Sequence, residues 1–175
     1  MRHHRAFGYL AGLLAALAAT AAGGQPAVTA APGFERFRAL AGEWVAASDN
    51  QMAKQGDLVA RYSVTGGGSA VVETLFPGAP HEMLTVYTSE GSDIVLTHYC
   101  AGGNQPRMRA RGGAAAGRAD FAFDGGSNID LESTDHMHSA TVWFVGKDEL
   151  RNEWRALVGR QPGMVVKMHL VRKAG

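Results

Sequence analysis

From residue 57 onward the chain alternates. Hydrophobic and polar residues exchange at every second position, and a cluster of turn-forming residues ends each short stretch. The alternating stretches cover 57–65, 69–76, 81–88, 93–100, 107–111, 118–123, 136–145, 149–157 and 163–172. Gly66-Gly67-Gly68, Pro77-Gly78-Ala79-Pro80, Asp124-Gly125-Gly126 and Gly146-Lys147-Asp148 punctuate them. One more strand opens at Gly42-Glu43-Trp44, where the indole is placed to fill the base of a core. That makes about ten strands, and no connection is long enough to hold a crossover helix. A meander of this kind loses its two free edges by closing on itself, so the pattern predicts an all-β, antiparallel, up-and-down barrel over 34–173. Before it, Phe34, Phe37 and Leu40 recur at helical spacing. They predict one or two helical turns that lay Phe34 and Phe37 over an open end of the barrel.

The hairpin 81–100 carries the densest chemistry. A turn centred on Glu90-Gly91 sets Tyr87 opposite Ile94, Thr85 opposite Leu96, Met83 opposite His98 and His81 opposite Cys100. These eight side chains share one face. Glu82, Leu84, Val86, Val95, Thr97 and Tyr99 share the other. A tight connection at Pro77–Pro80 would add Val72, Thr74 and Phe76 to the His81 face. That face is apolar toward the turn and gathers His81, His98 and Cys100 at its far end, which is the composition of a small-ligand pocket.

The N-terminus changes the picture of where the protein works. Arg2, His3, His4 and Arg5 form a basic region, 7–22 is apolar and uncharged, and small residues follow. Residues 1–24 therefore read as a secretory signal, too short for a bilayer span, and 25–33 as a flexible linker. The expected location is periplasmic or secreted, with no stable membrane insertion after cleavage. Loss of Arg2 and Arg5 leaves a net charge near −1, which is no footprint for nucleic acid. The single Cys100 excludes an internal disulfide and reads as a buried thiol or a pocket residue.

His136 and His138 alternate on one strand, as sheet-borne metal sites often present two imidazoles; with His98 from a neighbouring strand they make a candidate metal set. No paired-cysteine or HExxH spacing supports it. Arg107, Arg109 and Arg111 read as an outer charged face, with Met108 and Ala110 turned inward. Asn152 and Trp154 are expected inside. For catalysis, Cys100 with His98, and Glu73 with Glu82, are the only pairs worth naming, and the strand carboxylates read as surface or rim groups.

Gly42-Glu43-Trp44 after a short helix resembles the G-x-W start of lipocalins and other calycin barrels. The stretches VVETLFPGAPHEMLTVY, LTHYCAGGNQPRMRA and HMHS resemble small, uncharacterised, secreted bacterial proteins with a calycin-like or DUF1579-like barrel. Nitrobindin-like haem barrels are similar in architecture at a greater distance. That similarity implies a haem-ligating histidine on the last strand, here His169, although the longer glycine-rich first strand of those proteins is absent. The function expected from the pocket-like face of the hairpin is non-enzymatic binding of a small, largely apolar molecule inside a barrel, with no cofactor. The expected ligand-binding residues are His81, Met83, Tyr87, Leu96, His98, Tyr99, Cys100, Asn104, Trp143 and Trp154, with Phe76 and Phe123 as further walls. The alternatives are a zinc or haem protein centred on the histidines, and a structural barrel with a filled interior.

Overall fold

The computed structural model describes residues 29–174, so the expected signal segment lies outside the described residues. One helix, α1 (Phe34–Arg38), precedes ten strands: β1 (Gly42–Ala46), β2 (Leu58–Thr65), β3 (Ala70–Leu75), β4 (Met83–Glu90), β5 (Asp93–Tyr99), β6 (Gln105–Ala110), β7 (Arg118–Ser127), β8 (Asp135–Phe144), β9 (Glu149–Val158) and β10 (Gln161–Arg172). Each strand runs antiparallel to the next, and β1 pairs with β10. The sheet is thus a closed up-and-down barrel, as the alternation predicts. Period two decides what faces inward. On β9, Leu150, Asn152, Trp154 and Ala156 are buried, while Arg151, Glu153 and Arg155 between them face out. Among the described residues no helix is long and apolar enough to cross a membrane.

Aromatic packing closes one end of the barrel. Phe34 and Phe37 on α1 have no exposed surface. The Phe37 ring lies 4.7 Å from Tyr87, 5.0 Å from Phe144 and 6.1 Å from Phe121. Trp44 sits at the start of the core, and its Nε1 donates to Leu40 O at 2.7 Å. The Arg172 guanidinium lies 4.6 Å over the Trp44 ring and donates to Ala41 O and Ala39 O at 2.8 and 2.9 Å. The end of the last strand therefore clasps the junction between α1 and β1.

The linker expected over 25–33 is docked where it is described. Ala31 is buried, its N–H donates to Ser89 Oγ at 3.1 Å, and Ala114 N donates to Pro32 O at 2.8 Å. Two glycines permit this contact between backbones. A Cβ on Gly113 would lie 2.1 Å from Pro32 O, and one on Gly33 would lie 2.4 Å from Ala114 C; both residues also have positive φ. Gly113→Ala is expected to destabilise the protein by about 2 kcal/mol in urea unfolding. A variant with unchanged midpoint would show that the two segments separate without cost.

The central hairpin turns one residue later than expected, at Gly91-Ser92. Tyr87 pairs with Leu96, Thr85 with His98 and Leu84 with Tyr99, which replaces the expected partners Ile94, Leu96 and the Met83–His98 and His81–Cys100 pairs. Gly91 has φ +60, as a two-residue turn between Glu90 and Asp93 requires. Moving the turn by one residue shifts the pairing by two, so parity is kept and the same face points inward. On β3 the parity differs from the expectation. Val71, Glu73 and Leu75 face the interior, because 76–82 is longer than a tight turn and Phe76 bends the chain at φ +51. Phe76 is itself buried at this corner.

The arginines of β6 face outward as expected and are paired there. Arg109 reaches Glu90, Asp124 and Asp93 at 2.8, 3.0 and 3.3 Å, and Arg107 bonds Glu90 at 2.6 Å and Asp124.

Candidate functional site

At the end of the barrel opposite α1 lies a cavity of about 310 Å³. Methionine dominates its wall: Met52, Met83, Met137, Met164 and Met168 all line it, five of the seven in the chain. Leu75, Phe76, Ala101, Val166 and Trp154 complete the apolar surface. The polar exceptions are His81, His98 and Cys100, grouped by β5 and the corner before β4. Thioether side chains are unbranched and polarizable, so such a wall adapts to the shape of what it holds.

Below this layer the core turns polar in one place. Glu73, with no exposed surface, accepts hydrogen bonds from Tyr62 Oη and, at 2.8 Å, from Tyr87 Oη. Burial raises the Glu73 carboxyl above its ordinary range, and hydrogen bonds from Tyr62, Tyr87 and Thr85 oppose that rise. Burial, with the Glu73 charge beside them, raises both tyrosines well above their usual range. Thr85 on β4 is directly opposite Glu73 on β3 and directly opposite His98 on β5. Its Oγ1 lies 2.9 Å from His98 Nδ1. The His98 ring packs 5.0 Å from Trp154 and forms part of the cavity wall.

Burial pushes the His98 pKa down to about 4. The unfolded chain then takes up a proton near pH 6.5 that the folded chain refuses until about pH 4. Stability from this group is full above the unfolded pKa and is lost as pH falls through that window. The loss between pH 7 and pH 4 is expected to be about 3 kcal/mol, and His98→Phe should remove it. Urea midpoints of both proteins across this range check the sign; parallel pH profiles would place His98 in water.

The expected site residues divide into groups. His81, Met83, His98, Cys100 and Trp154 line the cavity. Tyr87 and Leu96 are core residues further toward α1, and Tyr87 serves Glu73. Tyr99 lies on the outer face, half exposed, because it alternates with inward His98. Trp143 also faces outward. It lies beneath the Arg118 guanidinium and lines an open surface groove with Arg151 and Glu153. Asn104 is buried at a loop and donates to Asp135 O at 2.8 Å. Its Oδ1, Asn152 Oδ1 and Trp154 Nε1 are buried without protein partners.

The three candidate metal ligands are not brought together. A bulge between Met137 and Ser139 slips the register of β8. Met137 reaches the cavity, whereas His136 and His138 pack on Phe123, with ring centroids 5.2 and 4.9 Å away. His136 Nδ1 is 2.8 Å from Thr134 O and its Nε2 is 3.2 Å from His138 Nδ1. Among the described residues no group of three or more His, Cys, Asp or Glu side chains is arranged to hold a metal ion. His169 faces outward on β10, hydrogen-bonded to Glu149 at 2.9 Å, so it does not present a ligand to the interior.

Glu73 is the residue that pattern reasoning missed. Read as a surface or rim group, it is the most deeply buried charge-bearing side chain of the inner face, and its parity with Val71 and Leu75 was the available signal. Met164, Val166, Met168 and Leu170 alternate in the same way on β10, which was a second legible signal for the cavity wall. No protein-family model matches the chain, and no curated protein matches it.

Proposed function

We propose that this barrel binds a small, largely apolar molecule in the methionine-lined cavity between Leu75, His98 and Val166. The observation that carries the reading is the cavity itself: about 310 Å³ at one end of an otherwise packed barrel, with an almost entirely apolar wall. That volume falls at the small end of ligand pockets and equals roughly ten water volumes. The occupant is accordingly compact. A site built from methionines favours shape tolerance over tight discrimination of apolar groups. The basic and apolar N-terminus fits an exported protein, so the ligand is one met outside the cytoplasm.

Titration with a fluorescent naphthylamine probe tests this directly. One saturable site is expected, and Val166→Phe, which fills the cavity, should weaken it at least tenfold by occluding volume. Probe uptake that does not saturate, or that survives in both Val166→Phe and Met168→Phe, would refute the reading.

A further inference from the structure

The wall of the cavity is built from sulfur and rings, and these distinguish one kind of apolar guest from another. This inference rests on the binding role above and names the chemical class of the ligand. Thioethers reach the cavity from β4, β8, β10 and the segment between β1 and β2. Four rings share the wall with them and stand in two pairs. His98 on β5 meets Trp154 on β9 with centroids 5.0 Å apart and planes at 41°. Phe76 meets His81 at 4.8 Å and 46° in the corner before β4. Among the described residues the wall includes no Lys, Arg, Asp or Glu.

A saturated and an aromatic hydrocarbon of equal size both gain from leaving water, and that gain follows apolar area. The difference between them lies in the ring. An aromatic guest has an electron-rich face and an electron-poor edge. Thioether sulfur makes its favourable contact at such an edge, and the rings of the wall offer tilted or edge-to-face contacts to the same guest. A saturated guest gains neither. Size narrows the choice further. An apolar cavity of about 150 Å³ holds one benzene, and this one has about 310 Å³, so two fused rings match it. A carboxylate would enter without a Lys or Arg to meet it, which is costly. We propose that the cavity selects uncharged, two-ring aromatic molecules over saturated or acidic molecules of the same size.

Naphthalene, decalin and 2-naphthoate separate the possibilities, each offered to the purified protein at neutral pH. Headspace chromatography over sealed solutions measures uptake of the two hydrocarbons, and equilibrium dialysis measures that of the acid. Decalin is the more hydrophobic of the pair. Each association constant is therefore divided by the hydrocarbon's own water-to-hexadecane partition coefficient, which removes the gain common to any apolar site. On that scale naphthalene is expected to exceed decalin about tenfold. 2-Naphthoate should bind at least tenfold more weakly than naphthalene. The double variant Met83→Leu, Met168→Leu nearly keeps the volume and loses two sulfurs, so the naphthalene-to-decalin ratio should fall about threefold. Equal corrected values for the two hydrocarbons, or a ratio unmoved in the double variant, would overturn the aromatic preference and leave the apolar-binding role intact. 2-Naphthoate bound as tightly as naphthalene would overturn the selection against charge, again without touching that role. Failure of both hydrocarbons to bind would overturn the binding role as well. If the double variant does not fold, the corrected ranking by the wild-type protein still decides.

Discussion

Phe37→Ala is expected to cost about 4 kcal/mol, enough to leave a barrel of this size marginal or unfolded at room temperature. The ring is wholly buried and meets Tyr87, Phe121 and Phe144, which belong to three different strands. No neighbour can collapse into the space it leaves, because those strands are held apart by the closed sheet. The loss is therefore of transfer free energy and of contacts together. Phe37→Leu keeps much of the volume and should cost about half as much. Denaturant melts of both variants check the order; equal costs would mean that α1 lies loosely on the barrel end and that its aromatic contacts contribute little.

Glu73→Ala should be comparably severe, at about 4 kcal/mol, by a different route. The substitution opens a small void and strips the buried Tyr62 Oη and Tyr87 Oη of their acceptor. Glu73→Gln retains the shape and one acceptor oxygen, so it should be milder. The pH dependence gives the sign. Burial raises the folded pKa of Glu73, so its contribution is fully present below the unfolded pKa and is lost as pH rises through the folded value. The wild type should hold its largest advantage over Glu73→Gln in acid and lose part of it toward neutral pH. This trend opposes that of His98, and comparison of the two single variants separates them. A Glu73→Gln advantage that grows in acid would show that the hydroxyl donors outweigh burial.

The architecture was legible because alternation, turn residues and short connections all point to the same closed meander. The inward face of the central hairpin was legible for the same reason, and it survived an error in register: a turn displaced by one residue moves partners by two. Tyr99 lies outside the cavity because parity decides its side: it alternates with His98 and faces out. Trp143 lies outside it for a related reason, since Ala140 and Val142 are the inward residues of that strand and a large indole is not thereby a core residue. Glu73 was hidden by a real ambiguity. Val71 and Leu75 make one face of β3 apolar, while Val72 and Phe76 do nearly the same for the other, so the pattern did not choose. Met137 was beyond reach of any strict period, because the bulge in β8 changes the inward parity between Met137 and Ala140. The metal set failed at the same bulge, which carries His136 and His138 to Phe123 and away from His98.

The clasp formed by Arg172 has a consequence for how the chain folds. Every other strand pairing joins neighbours in sequence, so hairpins are able to form early and at low entropic cost. The β1–β10 seam alone joins the two ends of the domain, with Trp44 opposite Arg172. Until the last strand is available, β1 and β9 are both open edges able to pair with other molecules. Arg172→Ala removes the stack on Trp44 and the bonds to Ala39 and Ala41 at the one seam that closes last. Its effect belongs to the lifetime of the open barrel, and hence to aggregation during refolding, more than to the shape of the finished molecule.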